Sequence, residues 1–317
     1  MTDSRGPNIL GPGPAVLAFD VGGTDTKSAL VDATGMIVGL RRTRTPVGSQ
    51  DPARAVVDSL TALAGDHLND NPGTDVRAMG ISVPGLVDDA AGIGVFSANL
   101  GWRDAAIRSL AKQAMNLPVS FGHDVRAAGL AEHRLGAARG YRSAVVVVIG
   151  TGIAGAIILD GQPYAGGGFA GEVGHTIADP NGIPCPCGAI GCLETIASAH
   201  AIARRYSAAS GRPVTGARDV LEAAQGGDRV AQHVWDEAVG ALAESLARLV
   251  SLIAPEAIVI GGGLSTAGSA LFDPLEARLE ALLSFHRRPR LLRAELGDDA
   301  GLLGTVLAAR QLAGDSA

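Results

Sequence analysis

The chain has 317 residues, 47% of them hydrophobic, 18% charged and 3% aromatic, with a net charge of −6 at neutral pH. That length and apolar content suit one large or two medium α/β domains with a proper core and exclude a disordered chain. The acidic balance and scarce aromatics leave neither a basic footprint nor a stacking platform for nucleic acid. No apolar run reaches the length of a membrane span, so no membrane partner is expected.

Residues 1–14, MTDSRGPNILGPGP, are rich in glycine and proline and read as a disordered tail. No charged-then-apolar signal segment opens the chain, and a cytoplasmic location with reduced thiols is expected. AVLAFDV reads as a buried strand ended by glycines, and SALVD and MIVGLRRTRT as two more, an antiparallel start to a mixed sheet. Val56, Val57, Leu60, Leu63 and Ala64 recur at helical spacing within 52–69. VRAMGISVPG and PVSFGHD are further strands, and a helix follows from Val125 to Leu135. SAVVVVIGTGIAGAIILDG then repeats the opening pattern of strand, glycine turn with threonine, and strand, which predicts a duplicated topology. Helices are expected near 196–209, 217–225, 228–253, 271–283 and 302–312, with strands at AIVIGGGLS and RLLRAEL. The last helix is expected to pack back on the N-terminal part.

Three glycine turns stand at strand ends. Asp20-Val-Gly-Gly-Thr-Asp-Thr-Lys27 lets Gly22 and Gly23 bring backbone N–H groups close to an anion. Thr24 and Thr26 add hydroxyl donors, Lys27 adds charge, and Asp20 is placed to hold the water shell of Mg2+. Neither the Walker A spacing nor the dinucleotide fingerprint is present, and a plain hairpin turn remains the alternative. Gly150, Thr151 and Gly152 open the second turn, and Gly261, Gly262 and Gly263 form the third, with room for a base or ribose against the backbone. Asp124, between a strand and a helix, reads as a helix cap or a catalytic carboxylate, and the two roles are compatible.

The most specific stretch is Glu172–Glu194, EVGHTIADPNGIPCPCGAIGCLE. It holds all three cysteines, Cys185, Cys187 and Cys192, together with His175. Three thiolates and one imidazole make the usual closed set of structural Zn2+. Glu172 and Glu194 bracket the loop without being needed as ligands, which suggests a rigid clamp on a hydroxyl-rich substrate.

D-x-G-G-T-x-x-K, G-T-G-I-x-G, E-x-x-H followed by C-x-C-G-x-x-G-C-x-E, and the late G-G-G together resemble the ROK family of bacterial sugar kinases and sugar-responsive repressors. The resemblance runs from about Val16 to Leu312. It implies a two-lobed actin-like ATPase (ribonuclease H-like) α/β fold with a zinc-binding loop. Residues 15–122 with 300–317 would form a small N-terminal lobe, and 123–299 a large lobe with the zinc loop and nucleotide-binding part. It also implies ATP and Mg2+, with Asp124 as catalytic base and Asn99, His123, Glu172, His175 and Glu194 around the sugar. His175 would serve twice, with one ring nitrogen on zinc and the other toward a sugar hydroxyl. The chain departs from the family pattern at His123, where asparagine is usual, which bears on hexose preference. Ala154 and Ala156 stand where glycine is common. The expected activity is phosphorylation of a hexose, glucose above all, at the 6-hydroxyl by a homo-oligomer, dimer or tetramer. The alternatives are an N-acetylmannosamine or N-acetylglucosamine kinase, or a sugar-responsive transcription regulator. Only 19 residues precede Asp20 and they are rich in glycine and proline, so no DNA-reading helix is expected there.

Overall fold

The computed structural model describes residues 9–315. The expected disordered tail lies outside these residues for 1–8. From Leu10 onward the chain is held, because the Arg310 guanidinium donates to the carbonyls of Leu10, Gly11 and Pro14.

The chain divides into two compact units. The first takes in the chain up to Leu135, the segment Pro163–Ala170 and everything from Asp298 on. Its sheet begins as a meander of β1 (Ala15–Val21), β2 (Asp25–Val31) and β3 (Ile37–Arg44). After helix α1 (Pro52–Asp70), β4 (Val76–Val83) lies parallel to β1. A small antiparallel sheet follows, β5 (Leu86–Asp88), β6 (Ile93–Ser97) and β7 (Trp102–Ala105), then α2 (Ile107–Met115). β8 (Val119–His123) closes the main sheet beside β4, and α3 (Asp124–Leu135) leaves from its end. The order is β3-β2-β1-β4-β8.

Strand β1 is buried on both faces, which is why it reads as a continuous apolar run. Leu17, Phe19 and Val21 pack with Val56, Val57 and Leu60 of α1. On the opposite face Val16 and Ala18 meet Leu302, Val306 and Ala309 of α9 (Ala300–Asp315). The final helix thus packs on the N-terminal sheet, as its apolar pattern predicts.

The second unit comprises Gly136–Gln162 and Gly171–Gly297. Its sheet has the order β11-β10-β9-β12-β13, made of β9 (Ala144–Ile149), β10 (Ile153–Leu159), β11 (Gln162–Tyr164), β12 (Ala257–Gly261) and β13 (Arg290–Arg293). Third, second, first, fourth and fifth strand stand in the same sequence as in the first unit. This is the duplicated topology expected, and the pair of like-ordered mixed sheets is the actin-like ATPase architecture. Helices α4 (Glu194–Ala197), α5 (Ala199–Ser210), α6 (Ala217–Gln225), α7 (Arg229–Ile253) and α8 (Ser269–Leu282) complete it. The helix expected over 196–209 is broken at Ser198, whose extended backbone lets its hydroxyl cap α5 by accepting from Ala201 N–H.

The division differs from the expected lobes at α3, at Pro163–Ala170 and by two residues at the last boundary, which falls at Asp298 and not at 300. Helix α3 belongs to the first unit because it packs on α9, and Pro163–Ala170 belongs there although both its flanks lie in the second.

Candidate active site and metal centre

In the first unit, Asp20 is the next-to-last residue of β1 and accepts a hydrogen bond from the Ser82 hydroxyl at 2.9 Å. The Thr305 hydroxyl lies 2.7 Å behind Ser82. The first turn of α9 closes over the carboxylate so tightly that a Cβ at Gly301 would fall 2.6 Å from Asp20 Oδ2. Burial pushes the Asp20 carboxyl up to about 6, and the charge of Asp124 adds to the rise. Asp124 opens α3 with its side chain 27% exposed, and its Oδ1 accepts from Val125 N–H at 2.6 Å. Burial likewise raises its carboxyl to about 6, against the lowering effects of that hydrogen bond and of Arg126. Two neighbouring carboxylates that each resist ionisation welcome a cation or a proton. Asp20 therefore suits the hydrated Mg2+ expected of it.

His123 is buried, and its Nδ1 accepts from the N–H groups of Val125 at 3.2 Å and Arg126 at 3.4 Å. An imidazole here does the work of an N-cap side chain. The cap reading of Asp124 is thus modified, because the residue before it satisfies the deeper N–H groups. His123 also lines a cavity of about 990 Å³ beside β8, whose wall does not include Asp124.

The Gly22–Gly23 loop is the hairpin turn between β1 and β2, closed by Gly22 N–H to Asp25 O at 2.9 Å. Gly23 packs against Asn99, whose Cβ would lie 3.1 Å from a Cβ there, and Asn99 itself is exposed. Thr24 is exposed, while Thr26 is buried against Thr45 at 2.9 Å, which takes its hydroxyl out of the expected donor set. The Lys27 ammonium donates to the Asp298 carbonyl and lies 3.8 Å from Asp299. It ties the hairpin to the start of the last helix.

In the second unit, Gly150, Thr151 and Gly152 turn from β9 to β10. Glu194 holds this turn, for its Oε2 accepts from Ile153 N–H at 2.8 Å, and a Cβ at Gly152 would stand 2.5 Å from the same oxygen. Of the third glycine run, Gly261 is the last residue of β12 and Gly262 has φ of 76° with Ile149 O 2.4 Å from an added Cβ. Gly263 meets nothing within 4 Å and faces open space.

His175, Cys185, Cys187 and Cys192 bring one ligand atom each within 4.8 Å of one another. His175 Nδ1 is 3.6 Å from Cys185 Sγ, and Cys187 Sγ is 3.6 Å from Cys192 Sγ. A tetrahedral zinc with sulfur bonds of about 2.3 Å sets its ligands about 3.8 Å apart, so the set fits. The loop backbone builds it. Cys185 N–H donates to Ala189 O at 2.8 Å, Gly188 N–H donates to Cys185 O at 2.9 Å, and Gly191 turns with φ of 72°. Burial, and then the other two thiols, push the Cys192 thiol up to about 12. Burial raises the Cys185 thiol as well, whereas Cys187 is lowered, chiefly by the Ala189 N–H, and a cation at the centre would favour all three as thiolates. His175 Nε2 points the other way, 3.9 Å from Glu172 Oε2.

Ser82, Thr305 and Arg126 escaped the sequence reading. The first two carry no motif. Arg126, two positions after Asp124, is 6% exposed and fully engaged with other segments.

The sequence model of the ROK family matches residues 16–312. Over 314 residues the chain is 34% identical to a glucokinase of Halalkalibacterium halodurans, covering 91% of this chain and 92% of that one. Over 302 residues it is 34% identical to an N-acetylmannosamine kinase of Shigella flexneri, covering 93% and 98%. Among solved structures, a ROK family glucokinase from Streptomyces griseus in complex with glucose and AMPPNP matches with a TM-score of 0.78 at 32% identity, covering 94% of this chain and 99% of that one.

Proposed function

The chain belongs to the ROK family, and from that premise we propose that it is an ATP-dependent sugar kinase that phosphorylates a hexose, glucose first, at the 6-hydroxyl. One observation carries the chemistry. Asp124 is a partly exposed carboxylate on the first turn of a helix, raised to about 6 by burial. Such a group is ionised at neutral pH yet basic enough to take a proton, as a general base must be. Asp124 accepts the proton of the sugar 6-hydroxyl while that oxygen bonds to the γ-phosphorus. The bond from phosphorus to the bridging oxygen breaks, and ADP leaves. The rest of the acceleration is positioning and charge stabilisation.

The glycine turns at 22–23, 150–152 and 261–263 are the backbone surfaces for ATP, with Thr24 and Thr151 as exposed hydroxyls and Lys27 fixing the first turn. Asp20 would hold hydrated Mg2+, which supplies charge neutralisation at the phosphates. Asn99, His123, Glu172, His175 and Glu194 are the sugar-reading residues in this proposal, the carboxylates acting through charge-assisted hydrogen bonds. Zn2+ on His175 and the three cysteines would stiffen the loop that carries Glu172 and Glu194. Among the described residues no helix is long and apolar enough to cross a membrane. Three clustered thiolates suit a reducing cytoplasm, and a dimer or tetramer is the assembly proposed.

The second reading is an N-acetylmannosamine kinase, favoured by a relative as identical as the glucokinase. Coupled ADP release over a panel of hexoses and N-acetylhexosamines tests both. The first reading expects the highest kcat/KM for glucose. A preference of about 10-fold or more for N-acetylmannosamine selects the second, and no sugar-dependent ADP release overturns both.

A further inference from the structure

We propose that Arg126 is a positioning residue for Asp124, fastening the first turn of α3 to two other segments and so fixing where the base stands. The inference rests on the kinase reading above.

Arg126 is 6% exposed, and a cation so buried is tolerated only when it is paired and its donors are satisfied. Its fork meets Asp89 in bidentate fashion, Nη2 to Oδ1 at 2.6 Å and Nε to Oδ2 at 3.3 Å. Nη2 also donates to Val87 O at 3.1 Å, and Nη1 to Gly168 O at 3.3 Å. None of these acceptors lies on α3. They belong to β5, to the residue after it, and to the turn Gly166–Gly168 in the Pro163–Ala170 segment. That turn can approach only because Gly168 has φ of 96° and no Cβ, which would fall 2.2 Å from Val87 O.

The backbone of Arg126 is held from the other side, its N–H directed at His123 Nδ1 at 3.4 Å. One residue thus receives the helix cap through its amide and a four-acceptor clamp through its side chain. Asp124 shares that first turn, so a tilt of the turn moves the carboxylate. Arg126 lines the cavity beside β8, whose wall does not include Asp124. With its side-chain hydrogen bonds committed to Asp89, Val87 and Gly168, it acts through the helix and not on the sugar. Its charge also favours the ionised base, opposing the burial that raises Asp124.

The test uses full-length, zinc-loaded enzyme with Arg126→Lys, Arg126→Met and Asp89→Asn. Readouts are kcat, KM for each substrate, melting temperature and the pH dependence of kcat/KM. A misplaced base costs turnover more than affinity. The expected result is a kcat loss of about 10-fold or more in Arg126→Lys and a larger one in Arg126→Met, with each KM within about 3-fold. The acid limb should move to higher pH in Arg126→Met and stay in place in Arg126→Lys, which keeps the charge. Losses in Arg126→Lys and Asp89→Asn should be non-additive in the double variant, as for two ends of one contact. Variants that melt lower but keep wild-type kcat and acid limb overturn the inference. If Arg126→Met fails to fold, additive losses in the Lys and Asn pair overturn it equally. Wild-type turnover, measured first, tests the kinase reading by itself.

Discussion

Asp20 and Asp124 are both raised to about 6, chiefly by burial. Activity should therefore fall on the acid side with an apparent pKa near 6, a value belonging to the pair as a whole. The same shifts act on stability. A carboxyl whose folded pKa lies above its unfolded value of about 3.9 favours folding while protonated, and that contribution is lost as pH rises through about 6. Asp20→Asn should accordingly raise the melting temperature of the ligand-free protein at pH 7 by a few degrees, with little change at pH 4. Thermal scans at the two values check this, and a lower melting temperature at pH 7 would contradict it. The same variant should bring the acid limb of residual activity down, because one like charge beside Asp124 is gone. For His123, commitment of Nδ1 to the helix means that Asn, a good cap, replaces it at a cost of less than about 0.5 kcal/mol, and Ala at about 1 kcal/mol. Urea denaturation of both variants measures the difference.

The loop of His175 and the three cysteines and the β9–β10 turn form a mechanical pair. Glu194, two residues after Cys192, is the carboxylate that holds Ile153 N–H. Cys187→Ser should lose bound zinc, lower the melting temperature and raise the KM for sugar together. Metal analysis that finds one zinc per chain retained in this variant would contradict a role for Cys187 as ligand. Gly152→Ala drives a Cβ to 2.5 Å from the Glu194 oxygen and should displace that carboxylate without touching the metal. Its expected signature is a raised sugar KM at unchanged zinc content. Much of this was legible in the sequence, because the ligands and both carboxylates lie within one short stretch with its own turn residues. Arg126 was not, since Asp89 and Gly168 lie 37 and 42 positions away. Nor was the small β5–β7 sheet, whose strands of three, five and four residues are too short to display a period.

Across the whole molecule, the repeat of strand order was readable because both sheets begin with the same strand, glycine turn and strand. The assignment of α3 is not readable from the sequence. The connection from β8 into α3 is continuous in sequence, and only the packing of α3 on α9, more than 160 residues on, shows which unit owns it. That packing anchors the helix carrying Asp124 to the sheet that carries Asp20. The account as a whole rests on Asp124 as the proton acceptor in sugar phosphorylation. Asp124→Asn keeps the shape and helical position of the side chain while removing the base, so the fold and ATP binding should persist. The most direct measurement is kcat for ADP release with saturating glucose and ATP, wild type against Asp124→Asn, alongside ATP affinity and melting temperature. The account predicts a kcat loss of about 100-fold to 10,000-fold with ATP affinity nearly unchanged and a melting temperature at pH 7 no lower than that of the wild type. Near-wild-type turnover in Asp124→Asn would contradict it.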